Sequence, residues 1–137
     1  MKLNEVEARY LKRIYEVVVE DGGEVTSYEL AKYFKVRTPS SIDVLNRLQR
    51  KGLVLRRAWG PVVLTDEGLR LTKGLLHVHR VMECFFYEML GLPMEMVCEE
   101  AAKVDYLISD EVADRICEKV NRPRRCPHGR VIPHEHG

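Results

Sequence analysis

Aromatic residues make up only 7% of this 137-residue chain, and one of them alone is tryptophan. No apolar run approaches the roughly 18 residues that cross a bilayer. The opening Met-Lys-Leu-Asn-Glu-Val-Glu lacks the apolar core of a secretory signal, so a cytoplasmic location is the default expectation. Four cysteines occur, Cys84, Cys98, Cys117 and Cys126, and no two stand in C-x-x-C spacing. In a cytoplasmic chain disulfides are the lesser use, which leaves small buried side chains or metal ligands. There is no glycine-rich phosphate loop, no paired catalytic carboxylates and no Ser/His/Asp arrangement that the spacing supports, so an enzyme is not expected. Internal repeats and low-complexity segments are absent too. The net charge of +1 says nothing by itself about partners.

The balance that is present, 45% hydrophobic and 31% charged, is that of a soluble globular protein. Charge is uneven along the chain. Residues 47–57 hold Arg47, Arg50, Lys51, Arg56 and Arg57 and no acid. Further on, Glu95, Glu99, Glu100, Asp105, Asp110 and Glu111 accumulate. One half is therefore suited to phosphate and the other is not.

Apolar residues at helical spacing predict a first helix over 3–20, ending before Asp21-Gly22-Gly23. Thr26 and Glu29 have capping-box spacing, opening a second helix over 27–34 with Leu30, Ala31 and Phe34 inward. After Lys35-Val36-Arg37, Thr38 reads as an N-cap and Pro39 as the first helical residue. This third helix runs to about Lys51, with Ile42, Leu45 and Leu48 as its buried stripe. Leu53–Arg56 and Val62–Leu64 read as a hairpin across a turn. Thr65-Asp66-Glu67 then opens a long helix over 66–90. Val78, Val81, Met82, Phe85, Phe86, Met89 and Leu90 make its later part apolar on more than one side. A dimer interface is the expected cover. Two more helices follow, 93–107 and from Ser109 to Val120. Pro123, Pro127 and Pro133 argue against regular structure beyond them, and His134 and His136 decorate a mobile terminus.

The expected fold is mainly α: an N-terminal winged helix-turn-helix over 1–68, an α-helical dimerisation and metal-binding domain over 69–121, and a tail over 122–137. A recognition helix needs a buried stripe and short polar residues at its start to approach base edges. Arg37, Thr38, Pro39, Ser40, Ser41 and Asp43 fill that start, with Arg47 and Arg50 further along. Arg56, Arg57 and Trp59 form the wing. Their hydroxyls and cations suit bases and phosphates of double-stranded DNA.

Several segments carry a family resemblance. Tyr10-Leu11-Lys12-Arg13-Ile14-Tyr15 resembles the opening helix of the iron- and manganese-dependent repressors, the DtxR/MntR family. Pro39-Ser40-Ser41, Leu53-Val54 and Leu64-Thr65-Asp66-Glu67-Gly68 fit its helix-turn-helix and wing. His79-Arg80-Val81-Met82-Glu83, Asp105 to Val112 and Cys126-Pro127-His128-Gly129-Arg130-Val131-Ile132-Pro133 are similar to later segments of its members. The chain stops where larger members continue into an SH3-like domain.

The resemblance implies a homodimer that binds a palindromic operator in response to Fe(II) or Mn(II). It also implies a departure. The positions of the family's activating metal site correspond to Arg9, Ala102, Asp105 and Tyr106, of which only Asp105 is an ordinary ligand. The family's second site corresponds to His79 and Glu83, which leave one helix face together at i, i+4, and to Cys98, where the family usually has histidine. Cys126 and His128 would complete this site if the tail returns to the long helix. A nitrogen–sulfur set suits Zn(II) best, Fe(II) next and Mn(II) least. The expected function is therefore transcription regulation, most simply repression, with an altered metal switch. The alternatives are a winged-helix regulator that answers thiol oxidation and a protein-interaction module without DNA binding.

Overall fold

A computed structural model describes residues 2–57 and 60–134. Trp59 and His136 of the sequence reading lie outside these. The chain divides into two compact units, Met1–Thr72 and Lys73–Gly137. No helix among the described residues is long and apolar enough to cross a membrane.

In the first unit, α1 spans Glu5–Tyr15. Asn4 and Glu7 start it by a reciprocal capping box, each side chain satisfying the other's backbone N–H. A π-helical turn, Glu16–Glu20, replaces the expected continuation of this helix. It contains Val17, Val18 and Val19, whose branched side chains crowd a regular α-helical turn. Glu7 does a second job. Its buried carboxylate accepts from Lys51 Nζ at 2.9 and 3.0 Å and from Arg47 Nε at 3.4 Å. Burial pushes this carboxyl up, but the Asn4 backbone N–H, Lys51 and Arg47 outweigh it and hold it below the usual range.

The helix α2, Ser27–Phe34, begins at the expected Thr26–Glu29 capping box. Phe34 stacks on Tyr10 at 4.4 Å between ring centroids. Lys35, at φ 58, turns the chain into α3, Thr38–Arg50. The cap position is Arg37, one residue before the expected Thr38, and no side chain caps it. The buried face is Ser41, Val44, Leu45 and Leu48, at i, i+3, i+4 and i+7. Two expectations are thereby corrected. Ile42 is only half-buried, and Ser41, expected on the exposed reading face, is 0% exposed. The helix is rotated so that a small side chain, not the isoleucine, enters the core.

The Ser41 hydroxyl has no hydrogen-bond partner among the described residues. An unpaired buried hydroxyl costs stability, and removing it recovers that cost. Ser41→Ala should therefore be neutral or stabilising by up to about 1 kcal/mol in chemical denaturation. It should also leave DNA affinity unchanged. A clear loss of affinity in a titration would restore Ser41 to the reading face.

The wing is β1, Val54–Arg56, and β2, Val62–Leu64, paired antiparallel with Val54 opposite Leu64 and Arg56 opposite Val62. It is tied to α3 by two bonds. The Arg56 backbone N–H donates to Gln49 Oε1 at 2.9 Å, and Arg56 Nη2 to Asn46 Oδ1 at 3.1 Å. Leu11, Ile14, Leu30, Leu45, Leu48, Leu53, Val54 and Val62 form the shared core. Each such side chain contributes about 1.5–3 kcal/mol by burial.

The long helix α4, Asp66–Glu88, starts where Thr65 Oγ1 accepts from the Gly68 N–H at 3.0 Å. The same hydroxyl donates to Gly52 O at 2.6 Å. Gly68 lies so close to the wing that a Cβ built on it would stand 1.9 Å from Leu53 O.

The second unit holds the rest of α4, then α5 (Met94–Val104), a 3-10 turn (Asp105–Leu107) and α6 (Asp110–Lys119). Ser109 caps α6 by accepting from the Val112 N–H. Within this unit Val78, Val81 and Met82 are buried. They pack against Ala101, Ala113, Cys117, Val120 and Ile132. The chain thus covers more of α4 than expected. The exposed apolar remainder near its end is Tyr87, Met89 and Leu90, with Met94 and Met96 on α5.

The segment after α6 is also more ordered than its prolines suggest. Arg125 and Val131 form an isolated antiparallel bridge, and the Ile132 N–H donates to Arg124 O at 2.8 Å. Cys126 and Ile132 are buried. His134, expected on a mobile terminus, instead donates from Nε2 to Pro123 O at 2.9 Å.

Candidate metal centre and nucleic-acid face

Helical spacing puts His79 and Glu83 on one face of α4, one turn apart, and both are buried. His79 Nε2 lies 3.5 Å from Glu83 Oε1 and 3.6 Å from Cys98 Sγ on α5. A tetrahedral zinc with the usual Zn–N and Zn–S bonds sets neighbouring nitrogen and sulfur about 3.6 Å apart. The observed spacing matches. The ligand atoms of these three residues all lie within 4.8 Å of one another.

The other carboxylate oxygen of Glu83 faces the C-terminal segment. It accepts from His128 Nδ1 at 2.8 Å. Glu83, Cys126 and His128 form a second group with ligand atoms within 4.8 Å. The 2.8 Å separation is a hydrogen-bond length, so ligation by both members requires them to part by a few tenths of an ångström. Burial first, and then the Glu83 carboxylate, push the Cys126 thiol up. The five residues read as ligands from the sequence are thus found as two triads that share Glu83, not as one tetrahedron.

Asp105 is the residue whose role the sequence did not reveal. It is buried, unlike the solvated acids around it, and its Oδ2 accepts from His79 Nδ1 at 2.8 Å. A carboxylate only accepts, so the proton sits on Nδ1 and the lone pair of Nε2 points toward Glu83 and Cys98. This is the usual orienting arrangement behind a metal-bound histidine. The spacing between His79 and Asp105 carries no signal, because it spans two helices and a loop.

The other positions tied to the activating site hold no donor set. Ala102 is buried and has no ligand atom, and Arg9 donates to Glu5 at 2.9 Å. Cys84 donates its S–H to Arg125 O at 3.6 Å, and burial pushes its thiol up to about 12. It stays a protonated packing residue.

On the first unit, Arg37, Pro39, Ser40, Asp43, Arg50 and Arg57 are exposed, while Thr38 and Arg47 are half-buried. Arg47 and Lys51 are engaged by Glu7, and Arg56 by Asn46. The basic run of residues 47–57 is therefore in part internal scaffolding.

The domain described as the iron dependent repressor, metal binding and dimerisation domain matches residues 65–134. The chain belongs to the DtxR/MntR family. It is 31% identical over 107 residues to an HTH-type transcriptional regulator of Methanocaldococcus jannaschii, covering 78% of this chain and 86% of that one. It is 28% identical over 124 residues to the iron-dependent repressor IdeR of Mycobacterium tuberculosis, covering 90% of this chain and 54% of IdeR. The solved structure of the manganese regulator SloR superposes with a TM-score of 0.85 at 31% identity, over 100% of this chain and 62% of that one. That of T. acidophilum IdeR gives 0.80 at 31% identity with the same coverage. The chain thus spans a little over half the length of IdeR and about three-fifths of SloR. The fold expected from the sequence, a winged helix-turn-helix followed by a helical dimerisation domain, is the family's fold.

Proposed function

We propose that this chain is a DNA-binding transcriptional repressor that acts as a homodimer on a palindromic operator and whose second unit binds a divalent metal at Glu83. The observation that carries this is the convergence of His79, Cys98, Cys126 and His128 on the two oxygens of one buried carboxylate. It lies inside the segment that matches the family's metal-binding and dimerisation domain.

Two thiols, two imidazoles and a single carboxylate favour Zn(II), with Fe(II) second and Mn(II) last. Among the relatives, IdeR is an iron-dependent repressor, SloR a manganese regulator, and ScaR has been solved with bound Zn2+. Arg9, Ala102 and Tyr106 supply no ordinary ligand, so the Glu83 centre takes the metal in place of the family's activating site. The first unit reads DNA through Arg37 at the start of α3, through Thr38, Pro39, Ser40, Asp43 and Arg50 on it, with Arg47 beside them, and through Arg57 at the wing. Tyr87, Met89, Leu90, Met94 and Met96 offer the apolar surface that a second copy covers.

The test uses untagged full-length protein and DNA from upstream of its own coding region. Zinc-loaded protein should bind it, and chelation should weaken binding about 10- to 100-fold. Arg50→Ala with Arg57→Ala should abolish binding to all sequences while circular dichroism stays unchanged. Unaltered affinity of that double variant at low salt would remove the DNA-reading assignment. A second reading rests on the exposure of Cys98. Binding that survives chelation but not oxidation would make this thiol the signal receiver.

A further inference from the structure

A separate cluster in the second unit shares no residue with the Glu83 centre. His77 on α4 and Cys117 on α6 are each 2% exposed. His134, from the segment after α6, lies against both. Its ring centroid is 5.3 Å from that of His77, and its Nδ1 is 4.0 Å from Cys117 Sγ. The ligand atoms of the three residues lie within 4.8 Å of one another. Asp114, one turn before Cys117 on α6, places Oδ1 at 3.3 Å from His77 Nε2; it stands outside the three-residue group, and its side chain, 59% exposed, has to turn inward to join it.

The protonation of both imidazoles is set from behind. His77 Nδ1 lies 2.6 Å from Pro133 O, and His134 Nε2 lies 2.9 Å from Pro123 O. Backbone carbonyls only accept, so each of those nitrogens carries the proton. The lone pairs are left on His77 Nε2, beside Asp114, and on His134 Nδ1, beside Cys117. Outer-nitrogen bonds of this kind orient metal-ligating histidines. In a tetrahedral zinc site neighbouring donors stand roughly 3.4–3.6 Å apart. The separations of 3.3 and 4.0 Å bracket that value.

We propose that His77, Cys117 and His134, with Asp114 as the fourth ligand, bind a structural Zn(II) ion that fastens the C-terminal segment to α4 and α6. Once Asp114 turns in, two nitrogens, one thiolate and one carboxylate from the chain itself fill a tetrahedron, the closed form of a structural rather than a sensing or catalytic site. Binding displaces the Cys117 thiol proton to solvent as the Zn–S bond forms. The other way to satisfy these groups is a hydrogen-bonded cluster, with the thiol donating to His134 and His77 paired to Asp114.

Cobalt(II) and zinc content of the untagged full chain separate the two. In a Cys98→Ser/Cys126→Ser background the Glu83 centre has no thiolate left. Cobalt loading of that protein should still give a thiolate-to-cobalt charge-transfer band. Adding Cys117→Ser should abolish the band, and adding Cys84→Ser should leave it in place. In the otherwise unaltered chain, His134→Ala should lose one zinc ion that resists dialysis and speed tryptic cleavage after Arg130. Glu83→Ala should remove metal only from its own centre and keep the Cys117 band, so failure of one site is not failure of the other. If Cys117→Ser does not fold, His134→Ala decides, because His134 is partly exposed near the chain end. A missing band in the double-serine background would overturn the proposal. So would a His134→Ala chain that holds as much zinc as the unaltered one.

Discussion

Replacing Glu83 by alanine should cost more metal affinity than any other single substitution at its centre. The carboxylate is the one group common to the His79–Cys98 and Cys126–His128 triads. Losing an orienting neighbour of a ligand typically weakens metal binding about 10- to 100-fold, and in the proposed centre Glu83 is itself a ligand of both triads. A loss on the order of 100-fold or more is therefore expected, read by competition with a chromophoric zinc chelator. Asp105→Asn is the graded counterpart. It keeps a side chain against His79 Nδ1 but loses the charge, so its loss should stay within the roughly 10- to 100-fold range. If DNA binding is coupled to this centre, Glu83→Ala should also lower operator affinity in zinc by about 10- to 100-fold. Zinc affinity equal to that of the unaltered chain would show that Glu83 is not a ligand. Equal loss from Glu83→Ala and Asp105→Asn would show that the two act only through folding.

Gly68→Ala should unfold or severely loosen the first unit. A Cβ there would meet Leu53 O at 1.9 Å and Leu53 C at 2.8 Å, both backbone atoms. The carbonyl is not at liberty to retreat, because it accepts from the Thr65 N–H at 3.1 Å. Thr65 is in turn fixed between Gly52 O and the Gly68 N–H. Overpacking usually costs about 1–3 kcal/mol, and a rigid backbone partner puts this case at the upper end or beyond it. Alanine is the better helix former, by about 1 kcal/mol, so propensity alone predicts the opposite sign. A denaturation midpoint at or above that of the unaltered protein would show that α4 and the wing can separate freely.

Local rules made most of the first unit readable. The Thr26–Glu29 box, the hairpin strands and the cap at Thr65 depend on residues three or four apart, or on alternation, and the structure has them where the sequence suggests. The departures from expectation are rotational or non-local. Ser41 reads as exposed because short polar residues usually are, yet its position relative to Val44, Leu45 and Leu48 places it inward. The breadth of apolar surface on α4 fits the family's dimerisation domain, yet it overstates how much a second chain has to cover. Much of it is met by Ile132 and its neighbours, which three prolines had made look unstructured. Of the candidate ligands, His79, Glu83 and Cys98 come from family resemblance, while Cys126 and His128 follow from a tail that can return to the long helix. What resemblance does not carry is the role of Asp105 behind His79, or the meeting of His77, Cys117 and His134. Those contacts join residues 26, 40 and 57 positions apart, beyond the reach of any spacing rule.

The carboxylate of Glu7 bears on how a DNA complex of this chain responds to salt. Each phosphate neutralised by a cation releases counterion, and the slope of affinity against salt counts those phosphates, at about 0.9 per contact. The run from Arg47 to Arg57 offers five cations. Glu7 binds both Arg47 and Lys51 inside the unit, and its single negative charge offsets one of their two positive charges. Both side chains are held in place joining α1 to α3, so in the proposed DNA complex the salt dependence is expected to rest chiefly on the arginines that face solvent, Arg37, Arg50 and Arg57.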